Sequence, residues 1–186
     1  MAALADCVCM EDLPNGLRHL NIQQPAVVEG EFLQCCGSKS WARGMSQYLP
    51  FRNSRDLFET AETIWWGLSA EDWLEAFRSH PKIGEQQAAA EVTATSLSWS
   101  SKEQSGVVDA DKATKRLLAD LNRRYEEKFG FIYIVCATGK SSEELLKILQ
   151  ERLNNDAESE LKIAASEQSK ITELRLHKLL AKLEQG

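Results

Sequence analysis

Apolar residues recur along this chain with helical rather than strand spacing. Trp41, Met45 and Leu49 repeat every four residues until Pro50 stops them. Leu57, Ala61, Ile64, Trp65 and Leu68 form a second, wider stripe. Pro25 opens an earlier helix carrying Val27, Val28 and Phe32, and Gly37 suits its C-terminal cap. Ser38 then caps the Trp41 helix, and Asn53 or Ser54 caps the next. Ser69-Ala70-Glu71-Asp72 has the form of a capping box, with Asp in place of the usual Glu or Gln, and opens a short helix bearing Trp73, Leu74 and Phe77. Ala113, Leu117, Leu121, Tyr125 and Phe129 predict a helix from Asp109 to Phe129, closed by Gly130. Ser141 and Glu144 form another capping box before Leu145, Leu146, Ile148, Leu149 and Leu153. Asn154-Asn155-Asp156 ends that helix and caps a last one over 157–183, which holds no Gly or Pro. Its inner face carries Leu161, Ala164, Ala165, Gln168, Ile171 and Leu174.

Three stretches depart from this pattern. Residues 1–12 read as a flexible tail, followed by a turn at Pro14-Asn15-Gly16 and a short segment to Asn21. Residues 85–98, rich in Ala, Thr, Ser and Gln, predict a loosely ordered surface segment with a helical candidate over Gln86–Ala94. Phe131-Ile132-Tyr133-Ile134-Val135-Cys136-Ala137 is rich in β-branched and aromatic residues, and taken alone reads as a buried strand. The chain offers no second strand to pair with it. The expectation is a buried extended or irregular segment, partly helical as an alternative, whose backbone polar groups need partners from side chains, water or a ligand. The architecture predicted is one all-α domain over 1–186 with seven to nine helices.

Composition narrows the function classes. With 43% hydrophobic and 27% charged residues the chain is an ordinary globular sequence, and 186 residues suffice for one sizeable core. A net charge of −6 without a basic block argues against nucleic-acid binding. No apolar run approaches the roughly 20 residues of a membrane span, and the mildly apolar start with Asp6 reads as neither signal nor transit peptide. The end at Lys182-Leu183-Glu184-Gln185-Gly186 lacks a Ser-Lys-Leu type of address, so a cytoplasmic location is expected, and a peroxisomal one would need a signal not found here. Cys7, Cys9, Cys35, Cys36 and Cys136 are odd in number and poorly spaced for staples, and read as reduced thiols. No metal-ligand spacing accompanies them.

The candidate chemistry centres on Arg78-Ser79-His80-Pro81-Lys82-Ile83-Gly84-Glu85. A helix stops there, and Pro81 disfavours helical geometry at His80. An imidazole so placed either aims into a cleft or faces solvent at a simple helix stop. Ser100 and Glu103 stand in S-x-x-E spacing, which makes a capping box, a ligand site or both. Arg175 follows Leu174 at the edge of an apolar stripe. It either points inwards, where it needs an anionic partner, or snorkels along the surface.

Five ordered blocks then add up. They are Trp73–Gly84; Ser100-x-x-Glu103-Gln104; Leu121-Asn122-x-x-Tyr125-x-x-Lys128-Phe129-Gly130-Phe131; Arg152-Leu153-x-Asn155-Asp156; and Ile171-x-x-Leu174-Arg175-Leu176-x-x-Leu179-Leu180. In that order they resemble the 2-oxo-4-hydroxy-4-carboxy-5-ureidoimidazoline (OHCU) decarboxylases, over about residues 13–183, and Cys35-Cys36-Gly37-Ser38-x-x-Trp41 adds to the likeness. The resemblance implies an all-helical, often dimeric protein. It implies cofactor-independent and metal-independent loss of carboxylate from a ureidoimidazoline, then stereospecific protonation to (S)-allantoin, the last step from urate. It also implies coupling to a transthyretin-like hydroxyisourate hydrolase, which some family members carry as a fused domain.

The resemblance assigns residues too. His80, Glu103 and Arg175 match the catalytic set. Pro81, Ser100, Gln104 and the backbone of Ile134, Val135, Cys136 and Ala137 match the substrate contacts. The chemistry suits these types. The substrate's own carbonyl and imine accept the electrons, so no organic cofactor is called for. Backbone N–H groups of 134–137 and the Gln104 amide can stabilise an oxyanion, Glu103 can accept substrate N–H bonds, and Arg175 can hold an oxygen bidentately. His80 can take the hydroxyl proton or deliver one to carbon, delivery being the favoured role. The rival readings are a helical interaction module without catalysis and a related ureide hydrolase, the latter lacking a metal cluster or activated nucleophile in the sequence.

Overall fold

The computed structural model describes residues 13–83, 94–104 and 110–185. The tail over 1–12 with Cys7 and Cys9, the helical candidate over 86–93, and Asp109 lie outside the described residues. Nine helices and no strand are present among them: α1 Asn15–Ile22, α2 Pro25–Cys36, α3 Lys39–Gln47, α4 Ser54–Gly67, α5 Ala70–Arg78, α6 Ala94–Glu103, α7 Lys112–Phe129, α8 Ser142–Arg152 and α9 Ala157–Glu184. None is long and apolar enough to cross a membrane.

The helix boundaries follow local chemistry. Ser38, Asn53 and Asp156 accept backbone N–H bonds at the starts of α3, α4 and α9. Ser69 with Asp72 and Ser141 with Glu144 form complete capping boxes. Pro14-Asn15-Gly16, expected as a turn, instead opens α1, with Pro14 at the N-cap position. Gly16 also lets α1 touch α9, since a Cβ there would stand 2.2 Å from the Leu180 carbonyl oxygen. The α7 stripe is shifted from the expected one. Leu118, Leu121, Asn122 and Tyr125 are buried while Leu117 is exposed, because a strict four-residue repeat drifts off a 3.6-residue helix.

The 28-residue α9 is the spine, packed against α1, α2, α4 and α5. Two buried tryptophans and the half-buried Trp73 lace the helices together. The indole N–H of Trp41 donates to Ala61 O (3.0 Å), that of Trp65 to Ala165 O (3.0 Å) and that of Trp73 to Trp65 O (2.9 Å). Each ring thus buries its apolar surface without orphaning its donor.

Residues 131–137 form no regular element and are almost wholly buried, as an irregular segment beneath the helices. Side chains supply partners to its backbone. Arg152 Nη1 donates to Ile134 O (2.7 Å), Lys140 Nζ to Cys136 O (2.6 Å), and the Cys136 N–H donates to Glu167 Oε2 (2.8 Å). Arg152 is itself held by Glu160 (Nε–Oε1 2.7 Å) and lies over the Tyr133 ring. Glu160, fully buried, also accepts from Tyr125 Oη and from Asn155 Nδ2 (2.7 Å).

Removing one member of this buried pair leaves the other charge unpaired, which costs about 3–5 kcal/mol. Glu160→Ala should therefore lower the free energy of urea unfolding by that amount, whereas Glu160→Gln, which keeps an acceptor for Tyr125, should lose less. Equal losses in the two variants would mean that the charge pairing is irrelevant.

Candidate active site

Helix α5 ends at Arg78, and the chain turns at once. The Ser79 N–H and Oγ both bond to Ala76 O (3.1 and 2.6 Å), and the His80 N–H donates to Phe77 O (3.1 Å). The turn is pressed against the C-terminus of α2. Gly37 there has φ +85°, and a Cβ on it would come within 2.1 Å of Ser79 Oγ. Glycine is needed twice, for the left-handed cap and for the contact that seats the residue before His80.

Part of His80 remains accessible, but its Nε2 is sealed from solvent and makes no hydrogen bond. Burial and the Arg175 guanidinium, opposed by Glu103 and Gln168, lower the imidazole pKa to about 3. The ring is neutral across the physiological range.

Opposite stands a charged cluster. Arg175 is only 1% exposed, which excludes the snorkelling alternative. It donates from Nε to Glu103 Oε1 (3.2 Å) and from Nη2 to Glu103 Oε2 (2.9 Å) and Ser100 Oγ (2.9 Å). Lys178 Nζ adds a bond to Glu103 Oε1 (2.8 Å). Burial pushes the Glu103 carboxyl pKa up, but the bonds and charges of Arg175 and Lys178 outweigh it and hold the group below the usual carboxylate range. Ser100 and Glu103 do not make a capping box. They lie in the last turn of α6, whose start is at Ala94, and the same i, i+3 spacing aligns them on one helix face towards Arg175.

His80, Ser100, Glu103, Gln104, Val135 and Ala137 line one cavity of about 20 Å³. Thr138 and Ile171 complete its wall. A space of that size holds about one water, so a ring-sized ligand requires the walls to part. Of the other expected residues, Arg175 stands behind Glu103, and Pro81, Ile134 and Cys136 do not line the cavity. The Cys136 N–H, expected as an oxyanion donor, is taken by Glu167. A larger groove of about 300 Å³ between α4 and α9 involves Phe58, Trp66 and Lys170, but its charged side chains, Glu59, Glu62, Lys170 and Glu173, are all exposed. The small cavity instead gathers strongly perturbed groups, a half-buried neutral imidazole and a buried carboxylate held ionised.

The sequence profile described as OHCU decarboxylase matches residues 22–177. The chain belongs to the OHCU decarboxylase family. It is 39% identical over 154 residues to the uric acid degradation bifunctional protein TTL of Arabidopsis thaliana, covering 82% of this chain but 47% of that protein. With the 2-oxo-4-hydroxy-4-carboxy-5-ureidoimidazoline decarboxylase of Amia calva it shares 32% identity over 132 residues, covering 70% of this chain and 74% of that protein. A crystal structure of OHCU decarboxylase in the presence of (S)-allantoin superposes with a TM-score of 0.70 at 39% identity, over 81% of this chain and 97% of the other. The chain spans about half or less of the bifunctional relatives it matches, 47% of the plant protein and 30% of one from Bacillus.

Within this OHCU decarboxylase-family fold, several neighbours of the cavity carry no local sequence signal. No motif in the sequence marks Lys178 or Glu167, and Gln168 is marked only as a polar residue on the inner face of α9. Among the described residues no group of three His, Cys, Asp or Glu side chains could hold a metal ion. Cys35, Cys36 and Cys136 are unbridged, and burial pushes their thiols up, which makes them poor nucleophiles.

A histidine whose folded-state pKa lies below its unfolded value of about 6.5 costs stability as pH falls, because the unfolded chain binds a proton the native chain refuses. From about pH 7 to about pH 5 the wild type should lose up to about 2 kcal/mol of unfolding free energy through this one group. His80→Asn should show a correspondingly flatter profile in urea titrations. Glu103, with its carboxyl held low, loses its contribution only below about pH 4.3, outside this window. Parallel profiles would contradict a buried neutral His80.

Proposed function

We propose that this chain decarboxylates OHCU to (S)-allantoin in urate degradation, using His80 with Glu103, Arg175 and the residues of the small cavity. The observation that carries the reading is the neutral buried imidazole beside a carboxylate kept ionised by two cations, in a chain of this family.

The chemistry follows from that arrangement. The bond between ring carbon and carboxylate breaks and carbon dioxide leaves; its electron pair forms a carbon–carbon double bond while the adjoining carbon–nitrogen pair moves onto the ring nitrogen, which takes up a proton from solvent. The enol that results becomes the carbonyl of allantoin when its hydroxyl proton leaves and a proton joins the neighbouring carbon on one face. A neutral imidazole suits the first of these transfers: it takes the hydroxyl proton, and as imidazolium it can return a proton to carbon. This shifts the emphasis from the donor role favoured on sequence grounds, since the resting ring has no surplus proton to give. Glu103, ionised and fixed, accepts N–H bonds from the ring or ureido group. Arg175, whose fork is engaged by Glu103 and Ser100, acts through Glu103. Gln104 and Ser100 offer polar contacts, and Val135 and Ala137 wall the ring. The dimer and the coupling to a hydroxyisourate hydrolase, implied by the family resemblance, belong to the same proposal; the bifunctional names of the relatives favour a second urate-degrading activity and bear on the coupling alone.

The test follows optically active allantoin by circular dichroism from freshly generated substrate. Wild type should accelerate its formation. His80→Asn should fold yet lose on the order of 10² to 10⁴ in rate, the usual worth of general acid–base assistance. Near-normal rates in that variant would remove His80 from the mechanism. A wild-type chain with no activity would favour the interaction-module reading instead.

A further inference from the structure

Two buried polar atoms near the cavity lack partners: His80 Nε2 and the side-chain carbonyl Oε1 of Gln168. Orphaned groups of this kind cost desolvation and are rare, so each needs a reason. Gln168 is wholly buried on α9, seven residues before Arg175 and on the same face. Its amide orientation is set by Nε2 donating to Thr172 Oγ1 (3.2 Å), one turn on, which turns Oε1 the other way. Gln168 also lies near enough to His80 to act on its charge, and it does so in the direction of an acceptor, favouring a proton on the ring. The two orphans are complementary. A carbonyl only accepts, so the nitrogen it meets must carry hydrogen.

We propose that Gln168 is a positioning residue for His80: its side-chain carbonyl receives the imidazole Nε2–H, fixes that tautomer, and leaves Nδ1 as the lone pair that takes the substrate proton. In the resting structure the pair falls short of hydrogen-bond geometry, and a small rotation of the ring completes it, as is common when a site tightens around its ligand. The glutamine has a reason for being neutral. A carboxylate there would attract a proton to the ring and hold it, whereas an amide selects the tautomer and leaves the base free. The charged groups facing His80 are Arg175 and Glu103, and neither is altered by changes at position 168. The inference rests on the reading of His80 as the base of the decarboxylase.

The decisive measurement is the ¹⁵N spectrum of the His80 ring, assigned by its loss in His80→Asn and read together with kinetics. Wild type should show protonated Nε2 and bare Nδ1. Gln168→Leu should lose that preference and drop kcat about tenfold or more, with KM within about twofold. Gln168→Glu keeps an acceptor and adds charge. It should retain the tautomer and move the acid limb of kcat/KM to higher pH. A wild-type ring protonated on Nδ1, or a Leu variant unchanged in both spectrum and kcat, overturns the proposal. Should the Leu variant fail to fold, the Glu variant decides, and an unmoved acid limb overturns it. A wild type that makes no allantoin would sink the proposed function while leaving the tautomer measurement valid.

Discussion

The buried pairing of Arg175 with Glu103 is the constraint on which the site depends. It joins the long α9 to the end of α6 across 72 residues of sequence, and it explains three things at once. Arg175 can be wholly buried because its guanidinium meets a carboxylate in forked geometry. Glu103 stays ionised in a buried place. His80, beside this fixed positive charge, stays neutral. Desolvation alone would push the imidazole the same way, but the guanidinium adds a charge that does not relax. Two cations on one carboxylate also leave the cluster net positive, which suits the carboxylate substrate proposed above.

The irregular segment 131–137 solves a second problem. A strand here would need a partner strand and a helix would close its own backbone bonds, and either would leave little backbone to present to the cavity. Irregular backbone leaves such groups available but must be braced. Arg152, Lys140 and Glu167 brace it from three different elements, one of them the spine that also carries Arg175. The wall at Val135 and Ala137 is therefore positioned by hydrogen bonds from charged side chains to the backbone behind it rather than by a ladder.

Much of the fold was legible in the sequence because helix ends are local. Ser69 with Asp72, Ser141 with Glu144, Asn53 and Gly37 each announce a boundary within four residues, and each does so in the structure. Errors arose where one pattern serves two purposes. Ser100 and Glu103, whose spacing fits a capping box, a ligand site or both, lie at a helix end, because i, i+3 spacing marks a cap and a shared face equally. Arg175 could be flagged as a charge next to an apolar stripe, yet its burial depends on a partner far away in sequence, for which no local rule exists. The same is true of Gln168 and Lys178, whose meaning appears only when α9 is laid beside α6 and the His80 turn. The resemblance to the family named His80, Ser100, Glu103 and Arg175; the three-dimensional arrangement brings them together.

The spine has a consequence for how such a protein can change over time. Gln168, Arg175 and Lys178 all reach the site from one uninterrupted helix, at intervals of seven and three residues. The same helix meets Trp65 through Ala165 and Gly16 through Leu180. A single inserted or deleted residue between 165 and 180 would turn everything beyond it by about 100° and shift it by about 1.5 Å. Either the packing against α1 or the ion pair with Glu103 would then be lost. A change of length between 165 and 180 is thus excluded if both contacts are to be kept, so this stretch of α9 can drift in composition but not in count.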